Sequence, residues 1–196
     1  MNLSIQNIGK HYQNKWLFKD VSFTISTGES IAITGINGSG KSTLMQIIYG
    51  LVQQNKGEIL IDNTTQFEPS NYFSLSAPYL ELPIEFNISA IVNFHQKIGK
   101  LDISLNNFIE ISEFTKQQSL QEIKLFSSGM QQRLKTAFCL LSTHPIKLLD
   151  EPLTNIDIYG EKWYHNLLNI IKENHIIIIA GNAENERMTD MKLINI

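Results

Sequence analysis

Short apolar segments alternate with turn residues along the first part of the chain. Residues 30–34 are mostly apolar, which is typical of a strand covered on both faces of a sheet. A glycine-rich turn follows, and a helix is predicted from Ser42 to about Gly50. Further strands are predicted over residues 3–8, 21–25, 57–61 and 72–75. This alternation of strands and helices predicts an α/β fold with parallel strands.

From residue 88 to about residue 125, the apolar positions recur at helical spacing instead. We interpret this part as a helical lobe inserted into the α/β fold. After it, a helix is predicted over residues 128–141, a strand over 146–149, a helix over 159–173, and strands over 176–180 and near 192–196. The chain is therefore expected to be a single domain, with a core of residues 1–75 and 126–196 and a lobe of about 76–125.

Composition and charge argue against several classes of protein. The net charge of −3 provides no basic surface to hold a nucleic-acid backbone, so nucleic acid is not an expected partner. The single cysteine, Cys139, lies in an apolar helical run and is interpreted as a buried spacer. No apolar run approaches the roughly 18 residues that span a bilayer, and the N-terminus lacks a signal-peptide pattern. We expect a cytoplasmic protein whose membrane role, if it has one, depends on a partner.

Residues 35–43 read GINGSGKST, which matches the phosphate-loop pattern G-x-x-x-x-G-K-[ST] between a predicted strand and a predicted helix. Glycines let the backbone curl so that successive N–H groups point at a phosphate. Lys41 supplies a positive charge between the β- and γ-phosphates, and the Ser42 hydroxyl is placed to bind Mg²⁺. The expected contacts with a nucleoside triphosphate are Gly35, Asn37, Gly38, Ser39, Gly40, Lys41, Ser42 and Thr43.

An apolar strand that ends in two carboxylates, Asp150 and Glu151, is the second chemical signal. At the carboxyl end of a parallel strand, Asp150 is placed to hold Mg²⁺, and Glu151 is placed to polarise a water for attack on the γ-phosphate. A solvated acidic turn is the alternative for any such pair. The phosphate loop in the same chain favours the catalytic interpretation.

Residues 126–133 read FSSGMQQR, with a Ser-Ser-Gly turn that opens a helix and forms a second anion cradle. This stretch resembles the LSGGQ signature of ABC-type ATPases, and the resemblance extends over nearly the whole chain. It implies a P-loop NTPase fold with an ABC-type core sheet, antiparallel N-terminal strands and an inserted helical lobe. It also implies a head-to-tail dimer, in which Ser127, Ser128 and Gly129 contact the ATP of the other subunit. An ordinary capped helix start is the alternative.

Three further positions are similar to the family pattern. Tyr12 stands where the family places an aromatic ring that stacks on adenine, although a tyrosine at the sheet edge is the alternative. Asp157 resembles the D-loop aspartate that organises the dimer interface. Residues 57–62 resemble a family turn, with Asn63 in place of its second glycine.

Two positions depart from the family pattern. The segment that should carry a Q-loop glutamine has none, and Ser76 is the best alignment, uncertain by about two residues. The strand that should end in the H-loop histidine ends near Asn182, whereas His175 precedes that strand and lies at its opposite end. Asn182 donates hydrogen bonds but carries no charge. ATP binding should survive both changes, and hydrolysis should be slower or depend on a partner.

The resemblance implies an ATP-hydrolysing subunit of an ABC transporter, using ATP and Mg and working in a homodimer or heterodimer with a separate transmembrane subunit. The protein would then lie at the inner face of the cell membrane through that partner. Residues 79–86 either line a groove for a helix of the partner or pack as an ordinary loop. Two alternatives stay open: a binding-only partner in a heterodimer, and a soluble ABC-type protein acting on ribosomes or DNA.

Overall fold

A computed structural model describes residues 1–181, 184–188 and 190–196. The strands are β1 (Asn2–Tyr12), β2 (Lys15–Ser26), β3 (Ser30–Thr34), β4 (Lys56–Ile61), β5 (Phe73–Ser76), β6 (Ile146–Asp150), β7 (Ile176–Ala180) and β8 (Lys192–Asn195). The helices are α1 (Lys41–Tyr49), α2 (Pro69–Tyr72), α3 (Ile88–Lys97), α4 (Leu105–Ile111), α5 (Lys116–Leu120), α6 (Ser128–Leu141) and α7 (Ile158–Ile171). Single 3₁₀ turns lie at Ile123–Leu125, Lys172–Asn174 and Glu184–Glu186.

The strands form two sheets of opposite character. One sheet has the order β2-β1-β4 and is antiparallel, and the other has the order β5-β6-β7-β3-β8 and is parallel. Every residue of β6 and β7 is buried, as expected for parallel strands covered on both faces. The predicted α/β fold with antiparallel N-terminal strands is confirmed.

The two N-terminal strands are longer than their apolar cores predicted. β1 and β2 pair with one another from Asn2 and Ser26 to the turn between Tyr12 and Lys15. Buried and exposed positions alternate along much of β2, because only one face of this antiparallel sheet packs on the core. The polar residues outside the apolar stretches therefore belong to the ladder as well.

The segment between β5 and α6 is helical, as its spacing predicted. Its three helices begin at side-chain caps, since Asn87, Ser104 and Thr115 each accept a hydrogen bond from a backbone N–H in the first turn. Phe108 is fully buried where these helices pack against α6 and α7 in one apolar cluster. This cluster joins the helical segment to one face of the parallel sheet.

The turn after β4 shows how asparagine replaces glycine. Asp62 and Asn63 both adopt left-handed backbone conformations, with φ of 48° and 65°. Asparagine and aspartate tolerate this conformation better than other residues that carry a Cβ. The family turn therefore forms here without its second glycine.

Candidate functional site

The loop between β3 and α1 forms an open backbone cradle. Gly35, Gly38 and Gly40 have φ values of 154°, 84° and 107°, in the region that favours glycine. Gly40 is also the N-cap of α1, so no side chain caps the N–H groups of the first helical turn. A Cβ at Gly40 would lie 2.7 Å from the Phe18 ring, which leaves no room for another residue. The uncapped N–H groups make this helix start suited to an anion.

Lys41 lies inside this cradle and is only 6% exposed. Its ammonium donates hydrogen bonds to the carbonyl oxygens of Gly35 at 2.9 Å and Ile36 at 3.2 Å. Within the described part of the chain it forms no ion pair. A buried cation held only by carbonyl oxygens is suited to a phosphate group arriving from solvent.

Asp150 ends β6 and is 1% exposed. Burial raises the pKa of this carboxyl to about 6, and the neighbouring Glu151 charge adds to the rise. The Ser42 and Tyr79 hydroxyls and the Lys41 ammonium act in the opposite direction on the same pKa. Among the described residues, neither carboxylate oxygen has a partner at hydrogen-bond distance. Such a buried carboxylate requires a counter-charge to be stable when ionised.

The Ser42 hydroxyl and the Asp150 carboxylate lie close together at the carboxyl edge of the parallel sheet. Mg²⁺ is bound in proteins by one or two such oxygens together with the phosphates of a nucleotide. The unpaired carboxylate, the nearby hydroxyl and the uncapped cradle fit a magnesium–nucleotide complex. The structure therefore brings the phosphate loop and Asp150 to the same edge of the parallel sheet.

Glu151 adopts a left-handed backbone conformation with φ of 45°. Such a conformation costs a residue with a side chain about 1 kcal/mol or more, and it persists where neighbours fix it. Here the Glu151 N–H donates to the Ala180 carbonyl at 2.8 Å, which ties this residue to the end of β7. The backbone turns sharply at this point, so Glu151 follows Asp150 without continuing β6.

The signature turn lies against the loop that precedes α7. Ser127 is the N-cap of α6, and its hydroxyl accepts a hydrogen bond from Met130 N–H at 3.2 Å. A Cβ at Gly129 would lie 2.6 Å from the carbonyl oxygen of Asn155, so only glycine fits this contact. Asp157 caps α7 by accepting from Gly160 N–H at 2.8 Å. The residues around these contacts line a cavity of about 270 Å³.

Tyr12 ends β1 with 52% of its surface exposed. The Lys10 ammonium lies 5.0 Å from the centroid of its ring. The ring is therefore accessible at the edge of the antiparallel sheet.

The structure describes one of the two positions that depart from the family pattern, Ser76. Ser76 is buried at the end of β5, and its hydroxyl lies 3.3 Å from that of Thr136 in α6. The Ser76 side chain therefore faces α6. Asn182 lies outside the described residues. His175 precedes β7, and its Nδ1 lies 2.9 Å from the Ile171 carbonyl, at the end of the strand away from Asp150.

Tyr79 is the residue that the sequence interpretation missed at this site. Burial raises the pKa of its hydroxyl, and the Asp150 charge adds to the rise, so the hydroxyl lies within electrostatic reach of this carboxylate. A signal for it existed, because the turn that follows a strand paired to β6 must lie near the end of β6.

Residues 18–154 match the family model described as "ABC transporter". The chain belongs to this family. It is 28% identical over 193 residues to the lantibiotic transport ATP-binding protein SrtF of Streptococcus pyogenes, covering 96% of this chain and 84% of the relative. It is 32% identical over 192 residues to the cytochrome c biogenesis ATP-binding export protein CcmA of Reclinomonas americana, covering 93% and 86%.

A solved structure supports the same fold. The dimeric post-hydrolysis structure of the ATP-binding cassette MJ0796 superposes with a TM-score of 0.79 at 22% identity, covering 94% of this chain and 89% of that chain. The resemblance inferred from the signature is therefore confirmed, as is the ABC-type P-loop fold. The protein is an ATP-binding chain of the ABC transporter type. Within the described residues, no helix has the length and apolar character needed to cross a membrane.

Proposed function

We propose that this chain binds ATP together with Mg²⁺ and hydrolyses the γ-phosphate as one of two ATPase subunits that drive a separate transmembrane subunit. The observation that carries the proposal is the convergence of Lys41, Ser42 and the unpaired Asp150 carboxylate at one edge of the parallel sheet. A cation, a hydroxyl and a buried carboxylate without a partner are the groups that a magnesium–triphosphate complex satisfies.

Binding begins at the phosphate loop. The N–H groups of the first turn of α1, which no side chain caps, would donate to the phosphates, and Lys41 would exchange its carbonyl partners for the β- and γ-phosphate oxygens. Ser42 and Asp150 hold Mg²⁺, which neutralises phosphate charge when bound. Tyr12 stacks on the adenine ring from the edge of the antiparallel sheet. The remaining loop contacts are those of Gly35, Asn37, Ser39, Gly40 and Thr43.

Hydrolysis requires a base beside the γ-phosphate. The Glu151 charge acts on the pKa of Asp150, so we place its carboxylate in the same site. There it would accept a proton from the water whose oxygen forms the new bond to the γ-phosphorus, while the bond from that phosphorus to the β–γ bridging oxygen breaks and ADP leaves. The hydrogen bond from Glu151 N–H to Ala180 fixes the backbone from which this side chain projects. General-base catalysis of this kind typically contributes about a hundredfold or more to the rate.

The signature turn is a second helix start suited to an anion, and we propose that it acts on a second subunit. Ser127, Ser128 and Gly129 form a helix start separate from the phosphate loop, and Asp157 lies beside it. In a head-to-tail pair, this turn contacts the ATP of the other subunit. The dimeric state named for MJ0796 supports this arrangement for a chain with the same fold. Either a homodimer or a heterodimer satisfies the geometry.

The membrane partner has a candidate docking place. A cavity of about 570 Å³ separates the helical segment from the core, and Leu82, Phe86, Phe94 and Phe138 are among its apolar walls. We assign residues 76–125 to a lobe that transmits dimer closure to a helix of the partner. The names of SrtF and CcmA associate those relatives with transport and export, which supports this role. The chain would then work at the cytoplasmic face of the membrane.

A binding-only role in a heterodimer is the second candidate. It is favoured by the absence of a glutamine from residues 73–80 and by the burial of Ser76 against Thr136. In that case ATP still binds and closes the dimer, while hydrolysis occurs at the site that contains the partner's phosphate loop.

Steady-state ATPase activity of the purified protein separates the two candidates. Glu151→Gln removes the base and should lower turnover at least tenfold, while the ATP affinity stays within about twofold. Glu110→Gln, an exposed glutamate in α4, provides the matched control and should keep full turnover. Equal turnover of the wild type and Glu151→Gln would overturn the hydrolase assignment and leave the binding-only role.

A further inference from the structure

The peptide unit between Ala180 and Gly181 connects the end of β7 with both neighbouring strands. Its carbonyl oxygen accepts a hydrogen bond from Glu151 N–H at 2.8 Å, and its N–H donates to the Ile33 carbonyl at 3.4 Å. Glu151 follows β6, whereas Ile33 lies in β3, two residues before the phosphate loop begins at Gly35. Because a peptide unit is planar, rotating it would change both hydrogen bonds together. One rigid group therefore holds the proposed base in register with the strand that leads into the phosphate loop.

The Glu186 carboxylate packs directly against Gly181. A Cβ on Gly181 would lie 2.7 Å from the carboxyl carbon of Glu186 and 3.3 Å from its Oε1, and it would lie closer still to its Oε2. The φ of Gly181 is outside the left-handed region that favours glycine. The close approach of Glu186, which is 6% exposed, is therefore the reason that only glycine fits at this position.

Two contacts with α7 hold Glu186 in this place. The buried Tyr164 hydroxyl donates a hydrogen bond to the Glu186 carbonyl oxygen at 3.0 Å. One residue earlier, the Asn185 side-chain amide donates to the Glu161 carboxylate at 2.7 Å. Both contacts attach the 3₁₀ turn at Glu184–Glu186 to the same helix. The position of the Glu186 carboxylate is therefore set by the packing of this turn on α7.

We infer that Glu186 is a positioning residue for ATP hydrolysis: its carboxylate, packed against Gly181, holds the Ala180–Gly181 peptide unit in the orientation that fixes Glu151. This inference rests on the proposed role of Glu151 as the base. The left-handed backbone of Glu151, with φ of 45°, persists only where neighbours fix it. Displacing a catalytic group by about 1 Å can lower a rate about a hundredfold.

Glu186 acts from the face of the parallel sheet that α7 covers. Tyr164 and Ile179 belong to the apolar cluster on that face, whereas Leu44 of α1 and Ala180 belong to the cluster on the opposite face. The helix that follows the phosphate loop is therefore separated from Glu186 by the sheet. Changes at Glu186 should accordingly affect the rate of ATP turnover and leave the affinity for ATP unchanged.

A double-mutant cycle tests the contact and its effect on turnover. Glu186→Ala removes the carboxylate and should lower kcat about tenfold, while KM for ATP stays within about twofold of the wild type. Gly181→Ala places a methyl group where the carboxylate lies, so it should also lower kcat about tenfold. In the Glu186→Ala background that space is free, and Gly181→Ala should then change kcat by less than about twofold. Glu186→Gln keeps the shape of the side chain and should retain kcat within about threefold of the wild type.

Glu184→Ala is the matched control, because Glu184 is an exposed glutamate in the same 3₁₀ turn and should keep full turnover. Urea unfolding measures the folded fraction of each variant under the assay conditions. Tyr164→Phe removes only the hydroxyl that places Glu186, so it provides a second, milder variant that should lower kcat about threefold.

Unchanged kcat in Glu186→Ala and in Tyr164→Phe, or a Gly181→Ala defect of equal size in both backgrounds, would overturn this inference alone. If the wild type hydrolyses no ATP, the proposed function itself fails.

Discussion

Two turns of the chain contain glycine, and each begins a helix. They differ in whether a side chain caps the N–H groups of the first helical turn. At the phosphate loop, the N-cap of α1 is Gly40, which has no side chain to cap the first turn. At the signature turn, the N-cap of α6 is Ser127, whose hydroxyl already accepts the Met130 N–H. The phosphate loop also encloses the buried Lys41. Near the signature turn, a positive charge comes from Arg133, which is partly exposed.

The difference indicates which turn binds phosphate within its own chain. The phosphate loop combines uncapped N–H groups, the buried Lys41 ammonium and the nearby Asp150, so it provides a complete set of groups for a magnesium–triphosphate. The signature turn is a folded helix start with one N–H satisfied internally, and it opens onto a small surface cavity. It is thus suited to adding contacts to a ligand that is already held elsewhere.

Lys41→Ala is the largest test of this difference. Charge-assisted hydrogen bonds to a buried ligand are each worth about 1.5–3 kcal/mol, so the loss should weaken ATP binding about a hundredfold. Fluorescence titration with an ATP analogue measures the change. Lys100→Ala removes a lysine that also donates to a carbonyl, that of Ser70, but on the surface. A loss of less than threefold in Lys41→Ala would mean that this turn is not the primary phosphate site.

Asp150→Asn tests the electrostatic part of the same site without any ligand. Below the ordinary pKa of 3.8, the Asp150 carboxyl is neutral in both the folded and the unfolded protein, so folding does not bury a charge there. As the pH rises toward the folded pKa of about 6, the unfolded chain ionises first and the folded protein loses stability. Asparagine does not titrate. The unfolding free energy of Asp150→Asn relative to the wild type should therefore increase by about 2 kcal/mol from pH 4 to pH 7.

Urea unfolding at a series of pH values, in EDTA and without nucleotide, measures this relative stability. Asp102→Asn, at an exposed position in the helical segment, controls for the loss of one negative charge. A pH-independent difference between Asp150→Asn and the wild type would contradict the buried, unpaired state of the carboxylate. With Mg²⁺ and ATP present, the order should reverse, because the wild type alone gains binding energy through this residue.

The sequence predicted the parallel core and the phosphate loop because both are local patterns. The bounds of strand β7 are predicted to the residue, because four isoleucines and an alanine stand between His175 and the strand-ending Gly181. The position of Tyr79 was not predictable in the same way, because its meaning depends on β5 pairing with β6, which are far apart in sequence. Ser76, the position aligned with the missing glutamine, contacts Thr136 of α6, and this contact likewise depends on tertiary packing between segments far apart in sequence.

Ser127→Ala separates the two roles of the signature serine and has the smallest effect on stability. Loss of an N-cap costs about 1 kcal/mol, so the free energy of unfolding should fall by that amount. Ser104→Ala is the matched control, because Ser104 caps α4 with the same bond, to Asn107 N–H at 3.1 Å. Both variants should lose similar stability in urea unfolding, and both should keep the ATP affinity of the separate chain.

The rate of ATP turnover distinguishes Ser127→Ala from Ser104→Ala. If the signature turn completes the site of a second subunit, Ser127→Ala should lower ATPase activity about tenfold through the loss of one positioned hydrogen bond, whereas Ser104→Ala should not. The effect should increase with protein concentration up to the point where the wild type is dimeric, because a turn that acts in trans matters only in the pair. Equal activities of the two variants would reduce Ser127 to a helix cap and leave the phosphate loop as the sole phosphate-binding turn.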